Sequence, residues 1–142
     1  MFRGPARAPL AILAASLAAC GGSSVRQPLI CPEIAFPAPP KMLYPAPGAT
    51  GVPAGNFPLV LSFRYGTETS LQSSGAPAVA NLQPAPLPSP LPSPAATPGP
   101  FASPVAYAVP SLQSAAAYAV IASFSPGPCA PGQVTIGNFT TR

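Results

Sequence analysis

The side chains in this 142-residue chain best suited to covalent or acid–base chemistry are three cysteines, two glutamates and one lysine, because there is no His and no Asp. Without His there is no imidazole base for a Ser or Cys triad and no imidazole metal ligand. Glu33 and Glu68 are the only side-chain carboxylates, and they are far apart in sequence. A Ser/Lys pair would have to use Lys41, which follows Pro39-Pro40 with no serine nucleophile motif nearby and reads as a solvated lysine at an edge strand. Zinc would need more ligands than Cys31 and Cys129 supply. The residues therefore predict no catalytic group, no metal site and no cofactor, and what chemistry remains is that of Cys20, Cys31 and Cys129.

The stretch that positions Cys20 comes first in the chain. Arg3 and Arg7 precede an apolar run over about 10–17, and small residues follow it, which are the three parts of a secretory signal. The run is shorter than the roughly 20 residues that cross a bilayer, so it reads as removed. Leu17-Ala18-Ala19-Cys20 followed by Gly21-Gly22 resembles the processing box of bacterial lipoproteins. The resemblance implies a signal peptide over 1–19, a diacylglyceryl-modified Cys20 as first mature residue, and a membrane partner reached through that lipid. Gly21, where an Asp would retain the protein at the inner membrane, implies the outer membrane in a diderm host and otherwise the outer face of the cytoplasmic membrane. Residues 21–30, beginning Gly-Gly-Ser-Ser, read as a flexible tether.

Composition bounds the remainder. There are 25 Pro and 12 Gly, and only 6% of residues are charged, which argues against a helical protein; yet 48% are hydrophobic, too many for a chain that cannot bury a core. Loss of Arg3 and Arg7 leaves Arg26, Lys41, Arg64 and Arg142 against Glu33 and Glu68, four cations and two acids with a net charge of +2. They are scattered singly, without a basic run or interleaved aromatics, so no nucleic-acid partner is expected.

Periodicity supplies the strands. Residues 57–65 alternate cleanly, with Phe57, Leu59, Leu61, Phe63 and Tyr65 on one face and Pro58, Val60, Ser62 and Arg64 on the other. Residues 105–109 and 118–124 alternate likewise, although the alanines over 111–122 would also suit a helix. A closing strand is expected over 133–141, where a bulge at Gly137 would return Phe139 to the face of Val134 and Ile136. Weaker patterns mark 41–44, 67–72 and 78–82, and the Pro/Gly-dense stretch 47–53 reads as a turn. Nine prolines fall within 83–104, which predicts an extended polyproline loop, solvent-facing and outside any sheet ladder. It could instead link two domains, but each flank is too short to bury a core alone.

Short strands with Pro/Gly turns and no convincing helix predict an all-β fold, a β-sandwich with a Pro-rich inserted loop. Tyr44-Pro-Ala-Pro-Gly-Ala-Thr-Gly-Val-Pro53 before the strand at 57–63, with Gly137-Asn-Phe-Thr-Thr141 at the end, resembles bacterial Ig-like domains of the S-layer type. Leu112 followed by Tyr118 and Val120 is similar to the Leu…Tyr-x-Val corner of fibronectin type III domains, with Ser114-Ala115 where Pro-Gly is usual. That likeness implies an Ig-like domain over 31–142 and a structural corner at Leu112 and Tyr118. With Cys20 assigned to lipid, Cys31 and Cys129 are left outside the cytoplasm, where pairing is favoured, the alternative being two free thiols. A bridge would close a loop of about 100 residues and stabilise by up to roughly 4 to 5 kcal/mol. The functional expectation is a non-enzymatic envelope module with a structural, adhesive or protein-interaction role. The other two readings are a domain binding a ligand such as a glycan, and a Pro-rich segment docking to a partner protein.

Overall fold

The computed structural model describes residues 31, 37–125 and 127–142. The expected signal peptide, Cys20, the tether and Glu33 lie outside these residues. Eight strands form: β1 (Met42–Tyr44), β2 (Ala49–Val52), β3 (Phe57–Leu61), β4 (Glu68–Gln72), β5 (Gln83–Ala85), β6 (Val105–Val109), β7 (Ala117–Ser123) and β8 (Gln133–Thr141). They make two four-stranded sheets, in the orders β1-β3-β6-β5 and β2-β8-β7-β4. No helix occurs among the described residues, and the sheets stack as a β-sandwich.

The alternation of β3 is realised in packing. Phe57, Leu59 and Leu61 are buried and pair with Val109, Tyr107 and Val105 of β6. Pro58 is tolerated in this central strand because β1 reaches only Leu61 and Val60, leaving no ladder on that side for the missing N–H to interrupt. In the second sheet β7 pairs with both β4 and β8. Its Tyr118, Val120 and Ala122 are at most 1% exposed. Two ladders and a buried alternate face hold residues 117–123 as a strand, which excludes the helix that alanine content allowed over 111–122. Along β8 the register passes from Val120↔Gly137 to Ile121↔Thr135. This bulge turns Phe139 into the core, where it is 2% exposed and stacks on Tyr118 with ring centroids 5.7 Å apart.

Three segments depart from the sequence reading. The stretch 47–53 is more than a turn, since Ala49–Val52 is β2, paired in parallel with β8. A short edge strand needs one partner and one anchoring side chain, here Val52, 6% exposed. Residues 78–82 contribute an isolated bridge, Val79 to Leu71, instead of a strand.

The Pro-rich segment is neither outside the ladder nor wholly solvent-facing. Gln83–Ala85 is β5, with Pro84 accommodated because the strand is an edge. Farther along, Ala96 N–H donates to Leu43 O and Ser103 N–H to Ser62 O, each at 2.8 Å, and Leu91 and Ala96 pack against the core. Val60 and Ala106, opposite each other on β3 and β6, point away from the second sheet by strand alternation, yet they are 0% and 4% exposed. The segment is thus a cover over the outer face of the first sheet. A linker between two domains is excluded as well, because strands from both flanks of the segment sit side by side in each sheet.

Candidate functional site

The groups with chemical capacity are dispersed over the sandwich. Lys41 is exposed just before β1, and its backbone N–H donates to Ser62 Oγ at 2.9 Å. Ser62 N–H returns a bond to Lys41 O, so the serine hydroxyl locks the ladder edge through the lysine's main chain. Glu68 opens β4, half-buried. Among the described residues no group of three or more His, Cys, Asp or Glu could hold a metal ion.

Cys31 and Cys129 are bonded to each other, with Cα atoms 5.3 Å apart although the residues are 98 positions apart in the chain. The bridge fastens the chain ahead of β1 to the connection between β7 and β8. Close by in the fold, Tyr65 buries its ring against Phe124, centroids 5.0 Å apart, and its hydroxyl donates to Pro37 O at 2.9 Å. Tyr65 lies past the end of β3, so its burial comes from this aromatic contact and not from the strand alternation that the sequence suggested.

Leu112 and Tyr118 come together at the crossing from β6 to β7. The Tyr118 ring is 1% exposed, and its hydroxyl accepts from Gln113 N–H at 3.1 Å. Leu112 packs against the core and its N–H donates to Ala54 O at 2.7 Å. Ala115 takes a φ of 54° in the turn that precedes β7. Thr141, which no sequence pattern marks, completes this corner: its hydroxyl donates to Gln113 O at 2.6 Å and accepts from Ala116 N–H at 3.0 Å.

Concave surface is shallow. A groove of about 590 Å³ runs beside β5, bounded by Asn56, Pro58, Leu82, Gln83 and Pro110. Another of about 380 Å³ lies between Pro37, Lys41, Phe63, Pro100 and Phe101. An exposed aromatic cluster would favour glycan binding, but Tyr44, Tyr65, Tyr107 and Tyr118 are all at most 8% exposed. Of the two exposed large hydrophobics, Leu87 is 47% exposed and Phe101 stands almost wholly in solvent, 94% exposed. A single aromatic inside a proline-rich run carries no periodicity, so the sequence does not single it out.

The fold defines a disulfide-bridged β-sandwich whose potentially reactive side chains are spread over its surface. Compared with family models, with curated proteins and with solved structures, the chain finds no significant match.

Proposed function

We propose that this chain is a cell-envelope lipoprotein, anchored through Cys20, whose Ig-like domain acts without catalysis as a structural, adhesive or protein-interaction module. The observation that carries the reading is the Cys31–Cys129 bond. Such bonds persist in oxidising compartments, which fits export through the N-terminal signal. The Ig-like assignment is supported by strand order. With β2 set aside as a split-off part of the first strand, the orders β1-β3-β6-β5 and β8-β7-β4 correspond to the A-B-E-D and G-F-C sheets of an immunoglobulin constant-type domain. Tyr118 near the start of β7, bonded to backbone five residues upstream, corresponds to the tyrosine corner of that architecture.

A role for the Pro-rich segment as a docking ligand is disfavoured, since Ala96 and Ser103 spend their N–H groups on the domain itself and Leu91 is packed. The experiment is intact-mass analysis of protein extracted from membranes. A diacylglyceryl-modified Cys20 terminus is expected, and an unmodified chain beginning at Met1 would refute the placement.

A further inference from the structure

We propose that the end of the sandwich fastened by the Cys31–Cys129 bridge faces the bilayer, and that Phe101 seats there in the lipid interface; this rests on attachment of the mature chain at Cys20. Strand registers define which loops share that end. Met42 lies opposite Leu61, Leu61 opposite Val105, Glu68 opposite Ser123, and Ser123 opposite Gln133. The start of β1, the loop after β3, the approach to β6 and the β7–β8 connection with Cys129 therefore lie together.

Between Cys20 and the bridged Cys31 there are only eleven peptide steps. Even fully extended, that length of chain reaches at most roughly 40 Å. The nine-residue β8 is itself about 30 Å long. The attached end therefore cannot leave the lipid by more than that reach, while the far end, with the Tyr118 corner, can stand a domain length farther off.

The surface chemistry of the attached end suits a lipid headgroup layer. Phe101 is 94% exposed on a loop closed by Ala102 N–H donating to Gly99 O and tied to the sheet by Ser103 N–H donating to Ser62 O. Pro100 beside it is exposed too. Lys41 and Arg64 are exposed at the same end, whereas Arg142 is at the opposite one, following β8. Aromatic rings settle at the membrane–water boundary, and lysine and arginine are drawn to anionic headgroups. Glu68, half-buried at the start of β4, is the one described acid at that end.

The chain has no Trp, so Phe101→Trp and Ser114→Trp each introduce a single indole, one at each end of the sandwich. With Cys31 and Cys129 paired, the mature chain 20–142 couples through Cys20 to maleimide-headgroup lipid in vesicles of phosphatidylethanolamine and phosphatidylglycerol. The expected result is blue-shifted emission and several-fold stronger quenching by acyl-chain bromine for Phe101→Trp than for Ser114→Trp, with quenching reduced by Lys41→Glu plus Arg64→Glu. Equal quenching at both positions, or quenching at neither, overturns the proposal. So does a Phe101→Trp indole that stays in water on vesicles and is shielded only when envelope proteins are added, which would make the occupant a protein. Because the coupling is chemical, the outcome does not depend on lipidation in the cell, which intact mass decides separately.

Discussion

Gly66 follows β3 at a point where the backbone tolerates nothing larger. Its φ is +74°, and a Cβ built there would lie 2.5 Å from the carbonyl oxygen of Ser123 and 3.3 Å from its carbonyl carbon. That oxygen accepts from Thr67 N–H at 2.8 Å and from Thr67 Oγ1 at 3.1 Å. It belongs to the last residue of β7, which is paired with Glu68 and with Gln133, so it cannot retreat without loosening both ladders. For Gly66→Ala the left-handed conformation alone costs about 1–2 kcal/mol. Weakening one or two hydrogen bonds at Ser123 adds about 0.5–1.5 kcal/mol each. The expected loss is about 1.5–5 kcal/mol, a substantial part of the roughly 5–15 kcal/mol that holds a domain folded. Gly48→Ala is the matched control, with the same φ of +74° and nothing within 4 Å of the added carbon. It should cost about 1–2 kcal/mol. Urea unfolding of the oxidised protein, with the slope unchanged, reads both values. If Gly66→Ala is no more destabilising than Gly48→Ala, the close approach to Ser123 is wrong.

The bridge and the corner carry three further expected outcomes. With Cys20 replaced by Ser, thiol labelling of the unreduced protein should find no free cysteine. Cys31→Ser with Cys129→Ser should lower the unfolding free energy by up to roughly 4–5 kcal/mol in the chain-entropy estimate; two labelled thiols in the native protein would contradict the bond. Tyr118→Phe keeps the ring and removes the acceptor of Gln113 N–H, so a loss of about 1–3 kcal/mol is expected from a donor left unpaired. An unchanged urea midpoint would show that the hydroxyl does not pin the crossing.

Much of the sandwich can be read from side-chain alternation because β3, β6 and β7 are each paired on both sides and set their large side chains alternately toward the core. The bulge in β8 was legible too, since Phe139 reaches the core only if one residue is inserted before it. Edge strands leave a weaker trace. β2 and β5 have one ladder each and contain Gly51 and Pro84, residues that local propensity assigns to turns and loops. Their pairing depends on β8 and β6, which lie far along the chain. The role of residues 86–104 was hidden for a related reason: a cover is specified by the sheet beneath it, through Leu43, Val60 and Ala106, not by its own pattern. Of the candidate site, the pairing partners Cys31 and Cys129 could be proposed from compartment and count, but their proximity arises from tertiary structure. Thr141 and Phe101 gave no signal because a threonine at a strand end and a phenylalanine among prolines are ordinary in isolation.

The bridge also determines how the domain would respond to being pulled. A force entering from the chain ahead of Cys31 and resisted at Arg142 passes from Cys31 straight into Cys129. The chain between those two cysteines, with β1 to β7, is shunted out of the path. Only residues 129–142 remain in series, so peeling β8 away would release at most about 50 Å of extended chain before the covalent limit is reached. Reduced, the same pull would draw on more than a hundred residues, and the difference in contour length would be read directly by single-molecule stretching.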